Sequence, residues 1–235
     1  IKRIPIVLYA ADKKPGKVIR YLSPFAKKVG VNFPDTLLKG DLVGMPLRFD
    51  PENVSKEKAI KYYGLDPDKP VCLVFGGSQG AKNLNHLAFE ALKTLPFQVI
   101  HLTGSPEETS IYASLYNKQN IKAVVKTFES RMQYAWKAAD IALTRAGAVS
   151  CAEEKAFKVP GLLIPFPQAS EDHQTFNAES LKALGLCEVK AEKDLTPQSL
   201  SQILDEIYQT RKQRIDALKI ENTPYTLKEL VLNSI

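Results

Sequence analysis

The sequence predicts an α/β fold whose larger part is a doubly wound parallel sheet, and three observations carry that expectation. From Asp50 onward, short apolar runs alternate with segments of helical period as successive strand–helix units. Glycine- or proline-marked turns separate them. Polar residues, namely Ser78, Gln79, Ser150, Glu153, Gln168, His173 and Gln174, gather only in the loops that follow the strands, at the sheet edge where open α/β folds hold their ligands.

At 235 residues, 44% of them hydrophobic, the chain has material for one large or two small cores. A net charge of +6 and a pI near 9.1 suggest an acidic partner: a nucleotide diphosphate, an anionic membrane surface or nucleic acid. Charge alone does not choose among them. Cys72, Cys151 and Cys187 are widely spaced in apolar or helical settings and no C-x-x-C or H-x-x-x-H pair accompanies them. Buried thiols in a reducing cytoplasm are therefore expected, and a metal site is not. No apolar run reaches membrane-spanning length, and the first residues lack a signal-peptide pattern.

In chain order, Ile4–Tyr9 reads as a strand, and Pro15-Gly16 opens an amphipathic helix expected to reach about Lys28. A buried strand so early has no preceding element to pair with. Short strands follow at Val29–Phe33 and Asp41–Gly44. Gly44-Met-Pro-Leu-Arg48 then leaves that sheet, with Arg48 either a solvated linker residue, the stronger reading by position, or a bidentate ligand for phosphate. Ser55 starts a short helix ending near Gly64, and the turn cluster Asp66–Pro70 precedes a new strand, so a second domain is expected from about Asp50.

Val71–Phe75, Gly76-Gly-Ser-Gln-Gly80-Ala81 and the helix through about Lys93 form strand, glycine-rich turn and helix. The turn matches neither G-x-G-x-x-G nor a P-loop, so it is equally a tight connection or a place where backbone, with Ser78, approaches a phosphate or sugar. Phe97–Leu102 is the next strand, and Ser105-Pro-Glu-Glu108 has the form of a capping box. Ile121–Val125 follows. The loop Thr127-Phe-Glu-Ser130 precedes a helix carrying Trp136; Phe128 is expected in the core by default, or as the wall of a base site.

The stretch Ala139–Ala178 is where a ligand is expected. Ile141–Thr144 is a strand, Arg145-Ala-Gly-Ala148 a tight turn, and Ser150-Cys-Ala-Glu153 reads as a second capping box opening a helix whose free N–H groups aim at an anion. Val159-Pro-Gly161 ends it. Leu162–Ile164 is a strand, the Pro165–Gln168 loop follows, and Glu171-Asp-His-Gln174 begins a helix with acidic residues in its first turn. Cys187–Val189 is a strand, and Thr196 opens a helix to about Arg211. The basic cluster Arg211-Lys-Gln-Arg214 reads as a solvated helix face, or as a contact for anionic lipid, before a closing helix near Leu227–Leu232.

A carboxylate with several amides and hydroxyls suits ribose and hexose hydroxyls. By spacing alone Glu153 is a cap; at the crevice it would instead take both ribose hydroxyls. His173 is either a general base or a hydrogen-bonding residue, while His86 and His101 fall in structural settings. No Ser-His-Asp order or paired carboxylates suggest a hydrolase.

With these motifs in this order, Gly44–Arg48, Gly76–Ala81, Phe128–Met132, Arg145–Ala148 with Glu153, and Asp172–Gln174 with Asn177-Ala178, the chain resembles the MurG family, glycosyltransferase family 28, over nearly its whole length. The resemblance implies a GT-B fold of two Rossmann-like domains: residues 1–49 as part of the acceptor-binding domain and link, 50–218 as a complete UDP-GlcNAc-binding domain, and 219–235 as a helix returning towards the first. It implies transfer of N-acetylglucosamine from UDP-GlcNAc to undecaprenyl-diphospho-muramyl-pentapeptide, giving lipid II, inverting and without metal or other cofactor. Such enzymes serve cell-wall synthesis, shape and division from the cytoplasmic face of the bacterial inner membrane, peripherally, with an anionic membrane surface and other cell-wall proteins as partners and no nucleic acid.

By that resemblance the backbone near Glu129 reads uracil beside Phe128 and Met132, and Glu153 holds the ribose. Ser78, Ala148, Val149 and Ser150 lie against the diphosphate, Gln79 is a further substrate-binding residue, His173 and Gln174 reach the sugar, and Arg48 lies near the nucleotide. Two departures accompany it. The family's first strand, glycine-rich loop and following units have no counterpart here, nor does the base expected within them. Its His-Glu-Gln-Asn stretch is Tyr9-Ala-Ala-Asp12, with Asp12 a polar residue for the cleft. The expectation is a chain that binds donor and turns over poorly by itself. The alternatives are a donor-binding subunit of a two-chain transferase and a non-catalytic UDP-sugar-binding protein.

Overall fold

A computed structural model describes residues 4–77, 80–168, 172–218 and 226–234. The chain forms two parallel sheets. The smaller contains β1 (Val7–Ala10), β2 (Lys28–Val31) and β3 (Asp41–Leu42) in that order. With no preceding strand among the described residues, β1 pairs in parallel with the one that follows, β2, from Val7 opposite Lys28 to Ala10 opposite Val31. The helix between them is shorter than its apolar period suggests: α1 covers Lys17–Leu22 and gives way to a 3-10 turn at Ser23–Phe25. Pro24 cannot donate to the helical ladder, which accounts for the early stop.

After the link, Asp50 caps a 3-10 turn at Pro51–Asn53. Helix α2 (Lys56–Tyr63) has Ser55 accepting from the Lys58 N–H at its start, and Gly64 in the left-handed region closes it. The larger sheet then builds from β4 (Val71–Phe75), α3 (Lys82–Leu92), β5 (Gln98–Leu102), α4 (Pro106–Lys118), β6 (Ala123–Lys126), α5 (Met132–Ala138), β7 (Ile141–Thr144), α6 (Ala148–Phe157), β8 (Gly161–Leu163), α7 (His173–Ala183), β9 (Cys187–Val189) and α8 (Pro197–Ala217). Its strand order is β6-β5-β4-β7-β8-β9, all parallel. The chain starts in the middle, runs to one edge, then returns to fill the other side, so β4 and β7 flank the point where the winding reverses.

Alternate residues of the strands feed opposite faces. Cys72, Val74, Leu143 and Leu162 meet α3, α4 and α8 on one face. Leu73, Phe75 and Ala142 meet α2 and α5 on the other, where Trp136 packs edge-on to Phe75, and Leu163 joins α6 and α7 beside them. The three cysteines are buried free thiols. The basic cluster lies inside α8, which continues to Ala217. There Arg211 stacks over Tyr208 and Arg214 pairs with Glu188, so neither arginine points only to solvent. Helix α9 (Leu227–Leu232) lies on the smaller sheet, with Leu227 and Leu230 against Gly30 and the Ser234 carbonyl accepting from Lys27. No helix among the described residues is long and apolar enough to cross a membrane.

Candidate functional site

The loops after β4 and β7 meet at the winding reversal, and α6 begins between them. Gly147, in extended conformation, is its N-cap, and the helix starts at Ala148. The expected capping box at Ser150–Glu153 does not form, because Ser150 already lies in the first turn and Cys151 N–H bonds the Gly147 carbonyl. The N–H groups of Ala148, Val149 and Ser150 have no acceptor within their own helix. Glycine at the cap leaves them uncovered by its own side chain, so together with the helix dipole they are of the kind that can receive an anion. Val149 is 53% exposed at that end.

Across the crevice, a Cβ at Gly76 would collide with Ala81, and Gly77 has φ +92°, so only glycine permits the tight turn after β4. Gly80, with φ +72°, packs against the Thr103 carbonyl of the loop after β5. Ser78, expected against the diphosphate, and Gln79, expected among the substrate-binding residues, lie outside the described residues.

Glu153 follows one turn into α6. Freed from capping, it is buried and accepts a hydrogen bond from Trp136 Nε1 at 2.7 Å. Burial raises its pKa, opposed by the Trp136 bond and by the charge of Arg48. Arg48, exposed at the end of the interdomain link, thus acts on the carboxylate through its field.

At the β6 end of the edge, Phe128 is 63% exposed, which overturns its default placement in the core. The short turn after Lys126 faces it outward, while the next residue turns in. Glu129 is buried and accepts from Lys126 Nζ at 2.6 Å, Tyr63 Oη at 3.1 Å and the Arg131 N–H at 2.9 Å. Burial pushes its pKa up, but these donors outweigh it and hold the carboxyl below its ordinary range. The backbone of Thr127–Ser130 is fixed by that anchor, and Met132 opens α5 behind it, packed against the core.

Helix α7 also starts later than its acidic stretch implies. Asp172 is the N-cap, in the left-handed region, and no acidic residue falls in the first turn; Glu171 is outside the described residues. His173 is the first helical residue. Gln174 turns back so that its Oε1 accepts the Phe166 N–H at 2.9 Å, leaving its NH2 group to donate. Gln168 lines a small recess of about 240 Å³ with Lys82 and Asn83.

Arg145, which the motif reading treated as turn backbone, is buried and braces the loops around the site. Its buried guanidinium donates to the Ile164 and Pro165 carbonyls at 3.2 and 3.3 Å and pairs with Glu192. Glu192 accepts in turn from Asn83 Nδ2 at 3.0 Å. One charged network therefore ties the start of α3 to the loops after β7, β8 and β9. Asn177, fully buried, donates to Asp12 Oδ1 at 2.8 Å and to the Ala146 carbonyl at 3.3 Å, and accepts from the Lys13 N–H at 2.9 Å. It joins the smaller sheet's leading loop to the turn that feeds α6.

This combination, a doubly wound sheet with a glycine turn and a bare helix start at its winding reversal beside a second parallel sheet, defines a Rossmann-like nucleotide-binding architecture of the GT-B type. The chain belongs to glycosyltransferase family 28, whose C-terminal domain profile matches residues 71–230. It is 40% identical over its whole length to the UDP-N-acetylglucosamine–N-acetylmuramyl-(pentapeptide) pyrophosphoryl-undecaprenol N-acetylglucosamine transferase of Protochlamydia amoebophila, covering 66% of that protein. To the transferase of the same name from Aquifex aeolicus it is 34% identical, over 93% of this chain and 64% of the relative. The crystal structure of Acinetobacter baumannii MurG superposes with a TM-score of 0.78 at 26% identity, covering 98% of this chain and 66% of that one. The chain thus spans just under two thirds of the length of these relatives.

Proposed function

We propose that the chain supplies the donor-binding part of an N-acetylglucosaminyltransferase that acts on a lipid-linked muramyl-pentapeptide, forming lipid II. The observation that carries this reading is the α6 start. Its uncovered N–H groups suit a diphosphate, the glycine turn after β4 lies opposite, and the buried Glu153 follows one turn further along α6, where a ribose would sit. Uracil would lie on the Thr127–Ser130 backbone beside Phe128 and Met132. Ala148, Val149 and Ser150, with Ser78, would take the diphosphate; Gln79 would be a further substrate-binding residue, and His173 and Gln174 would reach the sugar. Arg48 would lie near the nucleotide.

An acceptor hydroxyl attacks the anomeric carbon and gives up its proton to a general base on the acceptor side, its new bond forming as the bond to the diphosphate breaks on the opposite face. The electron pair leaves with UDP, and the α6 N–H groups stabilise the charge that develops there. No metal ion is assigned a part. In this reading residues 1–49 belong to the acceptor side with the link, 50–218 to the donor domain, and 219–235 return to the acceptor side. The protein works peripherally at the cytoplasmic face of the inner membrane, in cell-wall synthesis.

Titration calorimetry with UDP-GlcNAc tests the donor site: saturable binding with competition by UDP is expected. Absence of binding by the folded chain would overturn it.

A further inference from the structure

A cavity lies behind the proposed donor site rather than in it. It encloses about 400 Å³ between the smaller sheet and the flank of α6 and α7, a volume in the range of small-molecule sites. Met45 and Leu47 of the interdomain link form one wall, and Ala156 and Leu184 the other. Charge enters at three lining positions, Lys13, Asp35 and Lys155. Lys13 and Asp35 satisfy each other at 2.5 Å. Lys155 is only partly exposed, and its ammonium has no hydrogen bond or ion pair among the described residues. The lining therefore carries one uncompensated positive charge beside an apolar slot.

From this we infer that the cavity is a binding site for a small anionic amphiphile, a single acyl or aryl body with one carboxylate. The apolar body fills the slot and the carboxylate forms a charge-assisted bond with Lys155 at the slot's margin. A neutral hydrocarbon would leave the ammonium unpaired, and a dianionic nucleotide would bring more charge and polar surface than the walls can satisfy. Because one wall is the helix that presents Glu153 and the other is the link ending at Arg48, the occupant sits against both without touching the proposed donor site.

The test uses the whole chain with dansyl-labelled undecanoic acid, read by its fluorescence, and with the methyl ester of the same probe. Saturable binding of the acid is expected. Lys155→Met, which keeps the apolar stem, should weaken it about tenfold, and the ester should bind as weakly to the parent chain. Ala156→Phe, which fills the slot, should abolish binding, while circular dichroism and the melting temperature report that the variant is folded. Equal affinity for acid and ester would overturn the anionic class, and unchanged affinity in a folded Ala156→Phe variant would overturn the site.

Discussion

Glu153 and Glu154 are neighbours on α6 facing different surroundings. Glu153 has one donor, Trp136 Nε1, and its charge is opposed only by burial. Glu153→Gln keeps an acceptor for Trp136 and removes the charge. Donor affinity should drop by roughly ten- to a hundredfold, the worth of a charge-assisted hydrogen bond, while the melting temperature holds or rises. Calorimetry and thermal melts together check this; a lower melting temperature with normal binding would leave Glu153 a structural role only. Since its folded pKa is raised, affinity that depends on the ionised form should begin to fall, on acidification, at a higher pH than an ordinary glutamate would give. The Gln variant should lack that limb. Glu154 is wholly buried, with both carboxylate oxygens unpartnered beside Gly161, and burial raises its pKa well above 4.5. A group raised on folding stabilises below its unfolded pKa, and that contribution is lost as pH rises through the folded value. Glu154→Met should therefore stabilise by about 1–3 kcal/mol, more at pH 8 than at pH 5, in melts at the two values.

The Arg145–Glu192 pair belongs to the scale of elements, because it fixes the loops after three strands rather than touching a ligand. Breaking one side strands a buried charge at a cost of about 3–5 kcal/mol, whereas removing both is milder. Glu192→Leu alone should destabilise strongly, and adding Arg145→Met should recover much of the stability. Donor affinity should stay reduced in both, since the α6 start has lost its brace; affinity restored with stability would show the pair to be structural only. This pair also marks what was legible beforehand. The strands of the larger sheet could be read to within about two residues because buried parallel strands are unbroken apolar runs. The start of α6 was misread because Ser150-x-x-Glu153 has the right letters, yet Gly147 reaches extended geometry first and takes the cap. The default core placement of Phe128 fails because hydrophobicity says nothing about which way the short loop between β6 and α5 faces. Arg145 stands in one of the motifs that carry the resemblance, but its pairing has no local signal, since its partner is 47 residues away.

Across the whole molecule, Asn177 makes two polar contacts that hold the two sheets together, to Asp12 and from the Lys13 N–H. Its amide reaches Asp12, 165 positions earlier, a pairing that no local pattern encodes, although Asn177 and Asp12 could each be singled out by resemblance. The same amide holds the Ala146 carbonyl, so the smaller sheet is connected to the turn that aims α6. Asn177→Asp would set a carboxylate against Asp12 at the 2.8 Å now spanned by a hydrogen bond. Two like charges at that distance cannot both stay ionised without a large penalty. The variant should lose about 2–4 kcal/mol at pH 7 and regain most of it by pH 4, where one of the two carboxyls takes up a proton. Adding Asp12→Asn should relieve the loss at neutral pH. Chemical denaturation at both pH values checks the sign: a deficit of equal size at pH 7 and pH 4 would mean that Asn177 contributes by packing, and that the sheets are coupled elsewhere.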